Sequence, residues 1–298
     1  MKKTVFLGAL TIAGMTASVV SAATLEDVQA RGKLNCGVTT GLVGFAAPDA
    51  NGVWEGFDVD VCRAVAAAIF ADPTAVEFVP TTGQTRFTAL ASGEIDMLAR
   101  NTTWTFSRDT DLKFDFVGVN YYDGQGFMVP KALGVTSAKD LDGATVCIQT
   151  GTTTELNLAD FFRTNGISYE PVPIETNAEG QQQYLAGACD VYTTDASGLA
   201  ATRATFEAPD EHVLLPEIIS KEPLGPLVRH GDNEWGDIVM WTLNALVSAE
   251  ELGITSANIA ELSAAPTNNP EINRILGTEG ELGAMIGLSA DWAKNAIA

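Results

Sequence analysis

Residues 95–108 read IDMLARNTTWTFSR, an apolar run that predicts a strand, followed at once by an amide, four hydroxyls and an arginine. An arginine presents a rigid pair of donors that matches a carboxylate. Short hydroxyl residues at the start of a helix leave backbone N–H groups free to bind an anion. The stretch therefore predicts one side of a carboxylate-binding site, and nothing next to it indicates catalysis.

Predicted strands and helices alternate on both sides of this stretch. The first series has strands at 33–38, 76–79 and 94–99 with helices at 62–70 and 87–92, and the second has strands at 144–149, 168–172 and 189–193 with helices at 155–164, 177–186 and 197–206. Such alternation predicts parallel α/β layers. Because the order repeats, we expect an α/β protein with two lobes.

Two extended segments can carry the chain between these lobes. One ends at Pro130 and Lys131, and the other is the proline-broken segment 221–229. We therefore expect residues 24–128 and 225–298 to form lobe 1, and residues 129–224 to form lobe 2 as an insertion. Two lobes joined by two strands form a hinge, and the cleft between them is the usual place for a small ligand.

The first 23 residues have the order of a secretory signal. Lys2 and Lys3 precede an apolar stretch at 4–20, and Ser21-Ala22-Ala23 supplies the small residues of a cleavage site. No other apolar run approaches the roughly 20 residues that a membrane helix needs. We expect signal cleavage near Ala23 and an exported, soluble mature protein.

The composition is strongly acidic, with 38 Asp and Glu against 17 Lys and Arg and a formal net charge of −21. The predicted cleavage removes two further positive charges. A surface of this sign repels phosphate and anionic lipid, so we expect no nucleic-acid partner. The same repulsion favours a soluble monomer.

Four cysteines, at positions 36, 62, 147 and 189, are too few for a scaffold built on disulfides. Pairs Cys36 with Cys62 and Cys147 with Cys189 are favoured, because each then falls within one expected lobe. Four buried free thiols are an equally good interpretation. The spacings do not match a zinc site, which needs clustered ligands.

Candidate binding residues follow three of the predicted strands. Asn101, Thr103 and Arg108 follow one, residues 151–154 follow another, and Asp195 follows the third. Open α/β sheets bind ligands just beyond the carboxyl ends of their strands. We expect Arg108 to pair with a carboxylate, Thr103 and the Thr153 backbone N–H to complete its hydrogen bonds, and Asp195 to hold an ammonium group. Together these groups predict a site for an α-amino acid.

Each residue also has a purely structural interpretation. Arg108 can be a surface arginine beside Asp109 and Asp111, since exposed ion pairs are common and contribute only about 0 to 1 kcal/mol. Asp195 by itself is more often the N-cap of a helix than a ligand contact. The two histidines, His212 and His230, have neither metal nor triad spacing, so a catalytic histidine is not expected.

Six segments carry a resemblance to a known family. They are GFDVDVCRAVA (56–66), TRFTALASGEIDMLARNTTWTFSR (85–108), YYDGQGFMV (121–129), VCIQTGTTTE (146–155), DVYTTDASGLA (190–200) and KEPLGPLVR (221–229). Over nearly its whole mature length the chain resembles the periplasmic solute-binding proteins of polar amino-acid ABC transporters, family 3. Within that family it is most similar to the general L-amino acid-binding proteins.

The resemblance implies a periplasmic binding protein fold of type II and a function without cofactor or metal. Its ligand would be a free L-amino acid, bound by lobe closure and delivered in the periplasm to a membrane permease and its ATPase. The family's ligand-binding positions fall on Arg108 (carboxylate), Thr103, Asn101, Thr153 (second lobe), Asp195 (ammonium) and Arg86 (ligand side chain).

Two departures from the family pattern concern the first loop and the end of the chain. Many polar amino-acid binders have an acidic residue and an aromatic lid where this chain has Thr39 and Leu42, so the stacking contact with the ligand is not expected here. General-type relatives also continue beyond the position of Ala298, which leads us to expect a truncated chain.

Two other functions are compatible with the same fold. An enzyme similar to the cyclohexadienyl dehydratases would need a buried acid or base over the ligand, and the motifs hold no surplus carboxylate or histidine for it. The sensing module of a receptor would carry a membrane helix. The sequence therefore favours a binding protein over both alternatives.

Overall fold

Two five-stranded β-sheets, each covered by helices, form the two lobes of the protein. The computed structural model describes residues 24–298, and the signal peptide predicted for residues 1–23 lies outside the described residues. No helix within residues 24–298 combines the length and apolar character needed to cross a membrane.

The chain builds most of lobe 1 before it crosses to lobe 2. The elements are α1 (Thr24–Arg31), β1 (Leu34–Thr39), β2 (Ala47–Pro48), β3 (Trp54–Glu55), α2 (Phe57–Phe70), β4 (Val76–Thr81), α3 (Arg86–Ser92), β5 (Met97–Leu98), β6 (Phe114–Phe116) and β7 (Tyr121–Asp123). Lobe 2 follows with β8 (Gln125–Pro130), β9 (Ala144–Gln149), α4 (Thr153–Asn165), β10 (Tyr169–Ile174), α5 (Asn177–Leu185), β11 (Val191–Asp195), α6 (Ala196–Ala204) and β12 (His212–Leu214).

The chain then returns and completes lobe 1. The elements of this return are β13 (Glu222–Leu224), β14 (Leu227–Arg229), α7 (Asn233–Leu252), α8 (Ile259–Leu262), α9 (Pro270–Ile275), α10 (Leu282–Met285) and α11 (Trp292–Ile297). The long helix α7 packs against α2 and α11, and its Trp235 is fully buried in the core of this lobe.

Both sheets have the same topology. Their strand orders are β4-β1-β5-β14-β6 and β10-β9-β11-β8-β12. In each sheet the first three strands are parallel and the last two are antiparallel to their neighbours. The predicted α/β repeat is confirmed, and in each lobe the parallel strands direct their carboxyl ends toward one edge, where α/β sheets bind ligands.

The two crossing segments pair with each other. Strands β7 and β13 form a separate antiparallel ribbon between the lobes. The lobe boundary expected between residues 128 and 129 falls inside β8, every pairing of which lies in the second sheet. This pairing favours a boundary before Gln125, and we propose it there. Pro130 ends β8 opposite His212 and does not mark the crossing.

Helix α2 begins five residues earlier than the sequence indicated. Gly56 precedes it with φ +126°, and a Cβ there would lie 2.4 Å from the carbonyl oxygen of Phe45, so only glycine fits. The extra turn contains Asp58, which is 3% exposed. Its carboxylate accepts a hydrogen bond from the backbone N–H of Asn101.

Both disulfides favoured by the sequence are present. Cys36 of β1 is bonded to Cys62 of α2 with a Cα–Cα distance of 6.1 Å, and Cys147 of β9 is bonded to Cys189 at 5.6 Å. Each bond lies within one lobe, where it ties a central strand to a neighbouring segment. The alternative of four free thiols does not apply to this structure.

Candidate functional site

A small polar cavity of about 20 Å³ lies between the lobes. All six residues proposed from the sequence line it, and they are Arg86, Asn101, Thr103, Arg108, Thr153 and Asp195. The first four come from lobe 1 and the last two from lobe 2. Because β5, β9 and β11 end at this edge, residues far apart in sequence are brought to one place.

Arg108 lies on a short π-helical turn, Ser107–Asp111, and is 7% exposed. Its Nη1 donates to the carbonyl oxygen of Thr103 at 2.8 Å, and its guanidinium lies 5.2 Å from the centre of the Phe87 ring. Burial lowers the pKa of Arg108 to about 10, while Glu222 and Asp195 oppose that shift. The side chain is thus a fixed cation at neutral pH rather than the exposed arginine of the structural interpretation.

Arg86 is the first residue of α3 and is 2% exposed. Its Nη2 donates to the carbonyl oxygen of Gly151 in lobe 2 at 3.2 Å, so it contacts both sides of the cleft. Its Nε has no hydrogen-bond partner among the described residues. Burial lowers the Arg86 pKa well below its usual value, and the positive charges of Arg100 and Arg108 lower it further.

Arg100 also lines the cavity, although it was not among the residues predicted from the sequence. It is 3% exposed, and its Nε donates to the carbonyl oxygen of Thr81 at 3.1 Å. Burial, followed by the charge of Arg108, lowers its pKa to about 10. Its position one residue before Asn101, at the end of a strand, was a usable signal. Three buried guanidinium groups therefore surround one cavity, and an anion would relieve their mutual repulsion.

Asn101 has the left-handed backbone conformation, with φ +36°. Its backbone N–H donates to Asp58 at 2.7 Å, and its side chain lowers the pKa of Asp195. The Asn101 Oδ1 is buried and has no partner within the described part of the chain. It is an acceptor that faces a site lined by donors.

Thr153 and Asp195 form the lobe 2 side of the site. Thr153 is the first residue of the 13-residue helix α4, whose N-cap is Thr152, so the free N–H groups of the helix start lie at the cavity. Asp195 stands at the N-cap position of α6, but its side chain makes no capping hydrogen bond. The N-cap interpretation therefore does not account for this carboxylate.

Burial raises the pKa of Asp195 to about 7. Asp123 and Glu222 raise it further, and the Asn101 side chain and Arg86 lower it. A carboxylate in this situation is stabilised in its charged form by any cation brought next to it. The cavity thus has three arginines on the lobe 1 side and, on the lobe 2 side, a carboxylate that a bound cation would stabilise in its charged form.

Glu222 was not among the residues predicted from the sequence; it is a carboxylate on the returning strand β13 and is 2% exposed. The hydroxyls of Thr103 and Thr153 both donate to it, at 2.5 Å and 3.0 Å. Within the proline-broken segment 221–229 nothing distinguished it from a solvated glutamate. Its partners lie 119 and 69 residues away in sequence, so only the folded chain reveals them.

The lobes contact each other, so the cleft is closed. Asn177 of lobe 2 donates to the carbonyl oxygen of Gly41 in lobe 1 at 3.2 Å. At Gly83 of lobe 1 a Cβ would lie 2.5 Å from the carbonyl oxygen of Thr150 in lobe 2. The glycine therefore allows the two backbones to meet.

The two residues at the family's lid positions do not line the cavity. Leu42 is buried with Phe45 and Leu224, and its methyl groups lie next to Gly198 of α6. Thr39 ends β1 and is 1% exposed, and its Oγ1 has no partner among the residues described. The first loop thus closes one side of the cleft with aliphatic packing.

Residues 34–257 match the family model described as "Bacterial extracellular solute-binding proteins, family 3". The chain belongs to this family.

Full-length comparison places this solute-binding protein among amino-acid-binding members. It is 66% identical to the "Glutamate/glutamine/aspartate/asparagine-binding protein BztA" of Rhodobacter capsulatus, over 100% of this chain and 88% of that protein. It is 59% identical to the "General L-amino acid-binding periplasmic protein AapJ" of Rhizobium johnstonii, over 98% and 85% of the two chains.

A solved structure shares the fold. The "ABC transporter / periplasmic binding protein from Brucella ovis with glutathione bound" superposes with a TM-score of 0.89 at 56% identity, covering 93% of this chain and 87% of that one. Like the two relatives above, it is named as a binding protein and not as an enzyme. The dehydratase alternative is therefore not favoured for this solute-binding protein.

Proposed function

We propose that the protein is the periplasmic substrate-binding component of an ABC importer and that it binds free L-amino acids between its two lobes. The names of the two relatives and the charge pattern of the cavity support this proposal. Ligand binding would stabilise the closed arrangement of the lobes, because each lobe supplies only part of the site.

The observation that carries the proposal is the placement of Arg108 and Asp195 on one cavity but on opposite lobes. A zwitterion removed from water needs partners for both of its charges. Arg108 and the N–H groups at the start of α4 would bind the α-carboxylate, and Asp195 would bind the α-ammonium group. Charge-assisted hydrogen bonds contribute about 1.5 to 3 kcal/mol each, so loss of one lobe's contacts would weaken binding strongly.

The second part of the proposal concerns the ligand side chain. Arg86 and Arg100 remain after Arg108 is assigned to the α-carboxylate, and both are buried donors without an ion-pair partner among the described residues. Such donors favour a side chain with acceptor oxygens over an aliphatic one. We therefore assign the preference to glutamate, glutamine, aspartate and asparagine.

The protein would deliver its amino acid to a membrane permease and its ATPase, as the relative named as an ABC transporter implies. It would act as a monomer in the periplasm. The strongly acidic composition fits a protein that stays dispersed in that compartment.

Calorimetric titration with a panel of L-amino acids tests the proposal. We expect the four acidic and amide amino acids to bind more tightly than leucine, and D-glutamate to bind more weakly than L-glutamate. Chromatography of the mixtures after incubation should recover each amino acid unchanged. Absence of binding by every member of the panel would refute the function, and appearance of a product would favour an enzyme.

A further inference from the structure

Glu222 lies where the two lobes and the hinge meet. It is the first residue of β13, which pairs with β7 in the ribbon that carries the chain between lobes. Although it belongs to a two-stranded ribbon rather than to either five-stranded sheet, it is 2% exposed. A buried carboxylate is costly unless its oxygens are fully hydrogen-bonded.

Four side chains donate to this carboxylate. Thr103 and Thr153 donate to Oε2 at 2.5 Å and 3.0 Å, and Asn157 and Ser220 donate to Oε1 at 2.7 Å and 2.5 Å. Thr103 belongs to lobe 1, whereas Thr153 and Asn157 belong to the first turns of α4 in lobe 2. One carboxylate thus joins both lobes through the groups that line or support the cavity.

These contacts decide the direction of two hydroxyl protons. A carboxylate only accepts hydrogen bonds, and a hydroxyl has a single proton to donate. Thr103 and Thr153, whose oxygens are 3.4 Å apart, therefore both direct their hydroxyl protons toward Glu222. What their hydroxyls still offer the cavity is lone pairs, which bind a donor and not a carboxylate.

We propose that Glu222 is a positioning residue that turns the Thr103 and Thr153 hydroxyls into acceptors for the α-ammonium group of the ligand. With Asp195 they supply three acceptors, which is the number of N–H donors on an ammonium group. This inference rests on the proposed function and changes one part of the sequence-based expectation. The hydroxyl of Thr103 would serve the ammonium, and the α-carboxylate would depend on Arg108 and backbone N–H groups.

A structural role in the hinge alone makes a different prediction. A residue that merely holds the closed lobes together would affect every ligand to the same extent. A residue that prepares acceptors for the ammonium would affect only ligands that carry one. Glutarate has the two carboxylates of glutamate and lacks the ammonium, so the pair of ligands separates these roles.

The test compares L-glutamate and glutarate on the wild type and on the Glu222→Gln variant by calorimetry. Glutamine places an NH2 donor against one of the two donor pairs and carries no negative charge, so it holds the two threonine hydroxyl protons more weakly in either orientation of its amide. We expect glutamate affinity to fall at least tenfold and glutarate affinity to change less than twofold. Glu217→Gln is the matched control, because Glu217 accepts from Ser137 and the backbone of Ala138 away from the cavity. Equal losses for both ligands, or no loss for glutamate, would overturn the proposal.

A second pair of variants covers the cases in which Glu222→Gln does not fold or glutarate does not bind the wild type. Thr153→Val removes the hydroxyl and keeps the backbone N–H and the side-chain shape, whereas Thr153→Ser keeps the hydroxyl. We expect Thr153→Val to weaken glutamate binding about tenfold and Thr153→Ser to restore most of it. Equal affinity of the two variants would contradict the inference. Failure of the wild type to bind any amino acid would instead refute the proposed function.

Discussion

The backbone N–H of Asn101 donates a hydrogen bond of 2.7 Å to the buried carboxylate of Asp58, 43 residues earlier in the chain. Asp58 is fixed by helix α2, and Asn101 belongs to the segment between β5 and the π-helical turn of Arg108. The bond therefore anchors the backbone that carries Arg100, Asn101 and Thr103. A buried carboxylate that does not line the cavity thus helps to hold the lobe 1 side of the site.

Asp58→Asn should alter how stability depends on pH. Burial raises the Asp58 pKa to about 7, from 3.8 in an unfolded chain. The folded state therefore binds the proton more readily, and this group's contribution to stability is complete at low pH and is lost as pH rises toward about 7. Asparagine can still accept from Asn101 but does not titrate. Urea unfolding without ligand should show that the variant loses less stability than the wild type between about pH 5 and about pH 8.

The control for this experiment is Asp60→Asn. Asp60 lies two residues further along the same helix, and its side chain is exposed. In this variant the change in the free energy of unfolding between about pH 5 and about pH 8 should equal that of the wild type. Identical pH dependence in wild type and Asp58→Asn would show that the buried carboxyl does not titrate in this range.

Amino-acid affinity should rise with pH through about 7. Burial raises the pKa of Asp195 to that value, and the α-ammonium group of a ligand requires the ionised carboxylate. Below the pKa the proton must leave before the ligand binds, so the dissociation constant increases as pH falls. Titrations of L-glutamate from about pH 6 to about pH 8.5 should follow this curve. Asp195→Asn should bind more weakly and with a flat profile, and an equally steep profile in that variant would assign the titration to another group.

Arg108→Ala should abolish binding without unfolding the protein. The variant removes the donor pair assigned to the α-carboxylate, and loss of about 3 kcal/mol corresponds to more than a hundredfold in affinity. Circular dichroism should show a folded chain, because the change also relieves repulsion with Arg86 and Arg100. Arg163→Ala is the control, since Arg163 forms an exposed ion pair with Asp160 on α4. Wild-type affinity in Arg108→Ala would refute the assignment.

Arg86→Met should remove the preference for acceptor side chains. The methionine fills much of the same space, and the two remaining guanidinium groups no longer face a third charge. We expect the affinity ratio of L-glutamate to L-leucine to fall at least tenfold, because a donor that matched the side-chain oxygens is lost. Thermal unfolding without ligand should occur at the same or a higher temperature. An unchanged affinity ratio would instead assign the contact with the ligand side chain to Arg100.

All six residues selected from the sequence line one cavity, and their role in ligand binding stays a prediction. Arg108, Thr153 and Asp195 could be found because each follows a strand, and the strand ends of an α/β sheet meet at a known edge. The crossing between lobes was expected near Pro130 because an isolated proline resembles a chain crossing, whereas the strand pairing favours a boundary four residues earlier than the expected one. Only the pairing of Pro130 with His212 shows that it ends a strand of lobe 2.

Other features left no local pattern to detect. The π-helical turn that carries Arg108 depends on how Ser107 to Asp111 pack against β6, and no spacing of residues specifies it. The role of Glu222 depends on its hydrogen bonds with Thr103 and Thr153, which come from different lobes. Residues that act through long-range hydrogen bonds are visible only when the chain is folded.

The two disulfides have a mechanical consequence. Cys36–Cys62 and Cys147–Cys189 each close within one lobe, and they account for all four cysteines of the chain. Oxidation therefore stiffens the two halves separately and adds no restraint on their rotation about the β7–β13 ribbon. A pair of fluorophores attached to exposed positions on the two lobes would report ligand concentration as a change in distance, in oxidised and reduced protein alike.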